Sequence, residues 1–299
     1  MGTKLVLPGA KLDGASVYEL LSTEKVTYTA GVPTVWLMLL QYMEANKVTL
    51  PDLKVVVCGG SAMPRSMIKA FDDMGVDVRH AWGMTEMSPL GTVCALQPQY
   101  AKLKGEEKLD VLVQQGFPPF MVEMKITDDA DKDLPWDGTT FGRLKVRGPA
   151  VSGGYYRVNQ NVLDEQGYFD TGDVATIDKY GYMRITDRSK DVIKSGGEWI
   201  SSIDLENLAV GHPKVAEAAV IGVAHPKWDE RPLLIVQLKQ GQSATREEIL
   251  KYMEGKIAKW WMPDDVQFVD EIPHTATGKI KKTDLRVKFK DYALPTAAA

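Results

Sequence analysis

Two stretches concentrate the residue types with the most chemistry. Gly167-Tyr168-Phe169-Asp170-Thr171-Gly172-Asp173 reads as a glycine-bounded turn that ends on a carboxylate. Asp187-Arg188-Ser189-Lys190-Asp191-Val192-Ile193-Lys194-Ser195-Gly196-Gly197 packs two acids, three bases and two glycines into eleven residues. Carboxylates suit ribose hydroxyls, and Arg or Lys suits phosphate oxygens. Glycines let a ligand approach the backbone closely. Residues 174–185 between them read as two short strands joined by an Asp178-Lys179-Tyr180-Gly181 turn. Such a hairpin brings Asp173 and Arg188 to one end of two paired strands. A solvated, charged turn is the plainer reading of either stretch alone.

Three more strings add to these. Gly59-Gly60-Ser61-Ala62 follows an apolar run and precedes a helix. Free N–H groups at such a helix start attract anions or heterocycle acceptors, although an ordinary strand-to-helix turn reads the same way. Residues 59–63 approach a G-x-S-x-G nucleophile elbow but place Met63 where its last glycine belongs. Ser66 and Lys69 fit S-x-x-K. An acyl-ester or thioester hydrolase using Ser61 or Ser66 therefore stays open. His80-Ala81-Trp82-Gly83-Met84-Thr85-Glu86 sits at the carboxyl end of an expected parallel strand, where α/β proteins bind ligands. Trp82 offers a stacking face, Thr85 a hydroxyl and Glu86 a hard oxygen ligand for Mg²⁺. In Pro273-His274-Thr275-Ala276-Thr277-Gly278-Lys279, the lysine follows Thr-Gly on a turn. Its charge could neutralise a phosphate or a leaving pyrophosphate; a basic surface turn is the bland alternative. Pro273 excludes a Walker A loop, which has Gly there.

The elements that must position these residues change character along the chain. Lys4–Leu7 reads as a strand, Ser16 as a helix cap with Glu19 as its capping-box partner, and residues 26–29 as a strand. Pro33 opens a helix to Ala45 that is apolar all round and so expected to be buried. Leu53–Cys58, a helix over 64–73 and a strand over 76–80 complete a βαβ pattern, which predicts a parallel sheet in residues 1–110. Short strands between Asp/Gly turns predict an antiparallel, barrel-like subdomain over 111–188. A separate α+β module over 189–299 follows, with helices over 203–210, 245–260 and 284–289 and strands over 215–223, 233–239 and 266–269. The fold class is α/β, with Lys190 as a short hinge before the small module.

Composition narrows the function. The 299 residues suggest about two domains, and a net charge of -4 argues against a nucleic-acid binder. Cys58 and Cys94 cannot build a disulfide framework or a CxxC metal site. The start is too short for a signal peptide, and no apolar run is long enough to span a membrane. A cytoplasmic protein is expected, and a homo-oligomer is allowed.

Taken in order, Gly59-Gly60-Ser61, Trp82-Gly83-Met84-Thr85-Glu86, Thr171-Gly172-Asp173, Asp187-Arg188-Ser189-Lys190-Asp191, Lys194-Ser195-Gly196-Gly197 and Thr277-Gly278-Lys279 resemble the adenylate-forming superfamily. Within it they look like the medium- to long-chain fatty-acyl-CoA synthetases (ligases). The resemblance implies ATP, Mg²⁺ and coenzyme A, and a fatty acid activated to an acyl-adenylate before transfer to the CoA thiol. It implies that Gly60, Ser61, Ala81 and Trp82 line the adenine pocket, that Gly83 belongs to the nucleotide site, and that Thr85 touches the α-phosphate and acyl carboxylate. Glu86 would hold the metal, Asp173 and Arg188 the ribose, and Lys190 the hinge. Lys279 would serve adenylation. Lys194 would serve thioester formation, with Gly196, Gly197, Glu198 and Trp199 along the CoA path. The family's Ser/Thr/Gly-rich loop ending in Pro-Lys-Gly, which grips the β- and γ-phosphates, is not found. A partial large domain is therefore expected, and a fragment that binds AMP or acyl-adenylate without turnover is the second reading.

Overall fold

A computed structural model describes residues 2–275 and 279–298. The chain divides into two compact units. The first comprises Met1–Thr140, Leu144–Thr171 and Thr176–Arg184; the second comprises Phe141–Arg143, Gly172–Ala175 and Ile185–Ala299.

In the first unit, β1 (Tyr28–Gly31), β2 (Val55–Cys58), β3 (Asp77–Gly83) and β4 (Leu90–Val93) form a sheet in chain order. β1, β2 and β3 run parallel, and β4 returns antiparallel to β3, so the sheet is mixed. Helices α1 (Gly14–Thr23), α2 (Pro33–Asn46), α3 (Arg65–Asp73) and α4 (Gly105–Leu112) accompany it. Trp36, Leu39 and Met43 of α2, Met67, Ile68 and Phe71 of α3, and Val56 and Val78 of the strands fuse into one buried cluster. Three expectations give way here. Lys4–Leu7 joins no sheet, and Leu5 and Leu7 are 80% and 82% exposed; a short apolar run cannot specify a strand without a partner. Asp13, not Ser16, caps α1, its carboxylate accepting the Ser16 amide at 2.9 Å. α2 is not buried all round, because Leu37 and Met38 lie exposed. α4 was not anticipated.

Residues 123–188 hold a second sheet in the order β5 (Glu123–Thr127), β6 (Gly142–Arg147), β7 (Phe169–Ile177) and β8 (Met183–Arg188). It is an open four-stranded sheet among the described residues, so the barrel-like expectation is corrected to a sheet with two edges. Asp178-Lys179-Tyr180-Gly181 does turn β7 into β8, closed by the Asp178 amide donating to Tyr182 O at 2.9 Å. Thr171-Gly172-Asp173 lies inside β7 rather than in a turn. Gly172, at φ +71°, takes the left-handed conformation that lets the strand pass through it.

The second unit is built on β9 (Ile193–Ser195), β10 (Glu198–Ile200), β11 (Val215–His225), β12 (Asp229–Leu238) and β13 (Asp265–Phe268), ordered β10-β9-β12-β11 with β13 on β12. Alternate residues of β11 and β12 feed two separate cores. Ala218, Val220, Leu234 and Val236 pack with Leu205 and Ala209 of α5 (Ser202–Val210) and Ile249 and Met253 of α6 (Arg246–Met253). Ala219, Ile221, Leu233 and Ile235 pack with Leu285 of α7 (Lys282–Lys288). Thr245 caps α6, its hydroxyl accepting the Glu248 amide at 3.2 Å. The helix ends at Met253 rather than near Trp260, because the chain turns at Gly255, φ +74°. The hairpin β9–β10 was also not anticipated.

Candidate functional site

The first group of residues stands at the carboxyl edge of the parallel sheet. Cys58 and His80 are register partners, so the turns after β2 and at the end of β3 are neighbours. Gly59 passes close to β3: a Cβ there would lie 3.2 Å from Ala81 O. Gly60 adopts φ +85°. Gly83 has no room for a side chain, since a Cβ would lie 1.9 Å from Pro89 O. The Trp82 indole lies against Gly91 in the same way.

His80 organises this edge, a role that its sequence did not suggest. It is 1% exposed. Its Nδ1 lies 3.1 Å from Val113 O, and its Nε2 accepts the Met63 amide at 3.4 Å. A carbonyl can only accept, so the ring is neutral with its proton on Nδ1. Burial drives its pKa down to about 4, against the opposing pull of the Val113 carbonyl. The ring thus pins the Gly59–Met63 turn to β3.

Thr85 is exposed and Glu86 half-buried in a single helical turn after β3. Tyr155, also unassigned from sequence, donates its phenol to Glu86 Oε1 at 2.8 Å, and the Ser152 amide donates to Glu86 O at 2.7 Å. That hydrogen bond to the carboxylate raises the Tyr155 pKa. No group of three or more His, Cys, Asp or Glu among the described residues could hold a metal ion. A magnesium ion commonly takes one or two carboxylates and completes its shell with substrate phosphates and water, so Glu86 fits that part alone.

Ser61 and Ser66 are exposed, but the structure supplies neither with a base. Both nitrogens of His80 are engaged, and Lys69 pairs with Asp73 at 2.6 Å. The hydrolase geometry is therefore missing among the described residues.

The second group lies in the second unit. Arg188 Nε and Asp173 Oδ1 are 3.9 Å apart at one end of the β7–β8 hairpin. The Arg188 side chain is 53% exposed, while that of Asp173 is 14%. Lys190 is exposed in the turn after β8, where the Asp191 amide donates to Arg188 O at 2.8 Å. Asp191 is itself held by Arg286 at 2.7 Å. Gly196 and Gly197, at φ +60° and +86°, form the two-residue turn of the β9–β10 hairpin, in which Trp199 faces Lys194 and Glu198 faces Ser195. The Lys194 amide donates to Glu230 Oε2 at 3.0 Å, leaving its side chain exposed. Trp228 backs this turn: its carbonyl accepts the Gly196 amide at 2.8 Å, and a Cβ at Gly196 would meet its ring at 2.9 Å. No motif had flagged Trp228. Lys279 is exposed, and its carbonyl accepts the Thr275 amide at 2.8 Å. Thr277 and Gly278 of that motif lie outside the described residues.

The family model described as "AMP-binding enzyme" matches residues 1–156, and that of the "AMP-binding enzyme C-terminal domain" matches residues 204–279. The chain is 52% identical to the 3-methylmercaptopropionyl-CoA ligase of Ruegeria lacuscaerulensis over 97% of its own length and 54% of that protein. It is 46% identical to the long-chain-fatty-acid–CoA ligase of Thermus thermophilus, over 98% of the chain and 54% of that protein. Among solved structures, ATP-bound MatB from Rhodopseudomonas palustris matches with a TM-score of 0.80 at 29% identity, covering 93% of this chain and 54% of that one. The chain thus spans about half the length of the curated relatives it matches.

Proposed function

The chain belongs to the AMP-binding enzyme family, and from that premise we propose that it carries part of the apparatus of an ATP-dependent acyl-CoA ligase. The observation that carries this reading is the carboxyl edge of the parallel sheet. There, two adjacent strands present a glycine turn pinned by His80 and the Trp82–Glu86 segment side by side. Open α/β sheets bind nucleotides at that edge.

In the first half-reaction a substrate carboxylate oxygen attacks the α-phosphorus of ATP. The bond to the β-phosphate oxygen breaks and pyrophosphate leaves. Gly60, Ser61, Ala81, Trp82 and Gly83 hold the adenine, Asp173 accepts from the ribose hydroxyls, and Arg188 donates to them. Thr85 donates to the α-phosphate. Lys279 sets a positive charge where negative charge builds on the leaving group. A magnesium ion, when bound, would neutralise phosphate oxygens, with Glu86 as its protein ligand. In the second half-reaction the CoA thiol attacks the acyl carbonyl, AMP leaves, and Lys194 and the Gly196–Trp199 turn line the thiol's approach. Lys190 is the proposed pivot between the two half-reactions, and turning about it would exchange the contacts that Asp187 makes with the helix that follows. The acid is an aliphatic monocarboxylate, consistent with relatives named for 3-methylmercaptopropionate and for long-chain fatty acids. Free, buried Cys58 and Cys94 suit a reducing cytoplasm.

Three measurements on the unmodified chain test this: AMP binding by calorimetry, fatty-acid-dependent ATP–pyrophosphate exchange, and CoA transfer from a synthetic acyl-adenylate. A panel from 3-methylmercaptopropionate to decanoate ranks the acids. AMP binding with both activities silent would favour a binding fragment, in keeping with the half-length match. Absence of AMP binding would overturn the assignment.

A further inference from the structure

The second unit buries an ionic cluster that none of these roles uses. Lys282 opens α7 with its side chain only 11% exposed, and its ammonium lies 2.7 Å from Glu206 Oε1 of α5. The same ammonium donates to Ser202 Oγ. Ser202 passes the link on: its hydroxyl and its amide both donate to Asp187 Oδ2, at 2.5 and 2.8 Å. The other oxygen of Asp187 accepts the Arg188 amide at 2.8 Å. Glu206 Oε1 also accepts the Val220 amide of β11 at 2.8 Å. Beside them, Ser201 donates to Thr186 O at 2.5 Å while capping α5. The relay therefore joins the end of β8, the first turns of α5, β11 and the start of α7.

A buried ion pair is a poor way to gain stability, because desolvation offsets most of the Coulomb attraction. What such a network supplies is a fixed geometry. Two nucleotide-assigned cations adjoin it. Arg188 is bonded to its Asp187 end, and Lys279 stands three residues before its Lys282 end. Resting on the nucleotide roles proposed above, we infer that Lys282 is a positioning residue. Through Ser202 and Asp187 it holds the backbone of Arg188, and as the first residue of α7 it holds the segment that carries Lys279. Burial raises the carboxyl pKa of both Asp187 and Glu206. Burial also pulls Lys282 down, but the two carboxylates outweigh it and its pKa ends above the ordinary value. The lysine stays a cation at the centre of the relay.

The test is a double-mutant cycle on the full chain with AMP as ligand. Lys282→Met/Glu206→Gln removes the ion pair without stranding one partner, and Ser202→Ala cuts the relay while keeping the pair. Either should weaken AMP binding about 10-fold in the native background, an effect of charged-hydrogen-bond size. In an Arg188→Ala background the loss should shrink below about 2-fold, because coupled residues are not additive. Lys282→Arg should restore binding to within about 3-fold. Equal losses in both backgrounds would mark a merely structural role and overturn the inference. Amide hydrogen exchange reads the relay without nucleotide. Residues 187–189 should exchange at least about 10-fold faster in Ser202→Ala while β11 and β12 keep their protection. Unchanged exchange there overturns the inference too. A native chain that binds no AMP but shows this exchange pattern overturns the nucleotide reading and leaves the relay standing.

Discussion

At the scale of single residues, three side chains decide most of the proposed chemistry. Asp173 and Arg188 meet at 3.9 Å. Asp173→Ala should weaken AMP binding by roughly 1.5–3 kcal/mol, the range for charged hydrogen bonds; unchanged affinity by calorimetry would detach the pair from the ribose. Lys279→Ala should slow acyl-adenylate formation on the order of 10²–10³-fold, as losing a preorganised charge does. CoA transfer from a supplied acyl-adenylate should survive, so equal damage to both steps would defeat the division of labour. His80 makes a pH prediction. Its folded pKa is about 4 against an ordinary 6.5. Below pH 6.5 the unfolded chain takes up a proton that the folded chain refuses until about pH 4. This group therefore lowers stability as pH falls through that window, and stability recovers as pH rises to 6.5. The component is ~3 kcal/mol at 1.36 kcal/mol per pKa unit. Urea unfolding at both ends of the window should show it in the native chain and not in His80→Gln, which keeps a donor and an acceptor.

At the scale of elements, the β9–β10 hairpin depends on two adjacent glycines for different reasons. A Cβ at Gly197 meets no atom within 4 Å, so only its left-handed φ of +86° opposes a side chain. A Cβ at Gly196 faces the same backbone strain and also the Trp228 ring at 2.9 Å. Gly197→Ala should cost about 1–2 kcal/mol, and Gly196→Ala more. Denaturant titrations that return equal costs would show that Trp228 yields freely. Local patterning found most elements. Pro33 opened α2, Thr245 capped α6, and Asp178–Gly181 turned β7 into β8. It missed β9 and β10 because three-residue strands show no period. It placed Thr171–Asp173 in a turn because Gly and Asp ordinarily signal one, whereas pairing in the sheet draws them into β7.

At the scale of the whole molecule, the second unit carries both of its cores within residues 193–297. Residues 185–299 expressed alone should therefore unfold in one cooperative urea transition. A broad, probe-dependent melt would show that the cores need the other residues of the chain. The same fragment should lose nucleotide affinity, since it lacks Asp173 and the Gly59–Glu86 edge.

Residue types and spacing alone determined the family resemblance, the α/β class and the names of the residues proposed to act, because these are properties of short strings. Tertiary structure alone decided which groups support them. His80 under the glycine turn, Tyr155 on Glu86, Trp228 behind Gly196 and Lys282 behind Arg188 come from distant positions in the chain. His80 is buried and the Lys282 side chain is 11% exposed, while Tyr155 and Trp228 stay 48% and 44% exposed, but in each case the partners lie elsewhere in the sequence, so the role exists only once the fold brings them together.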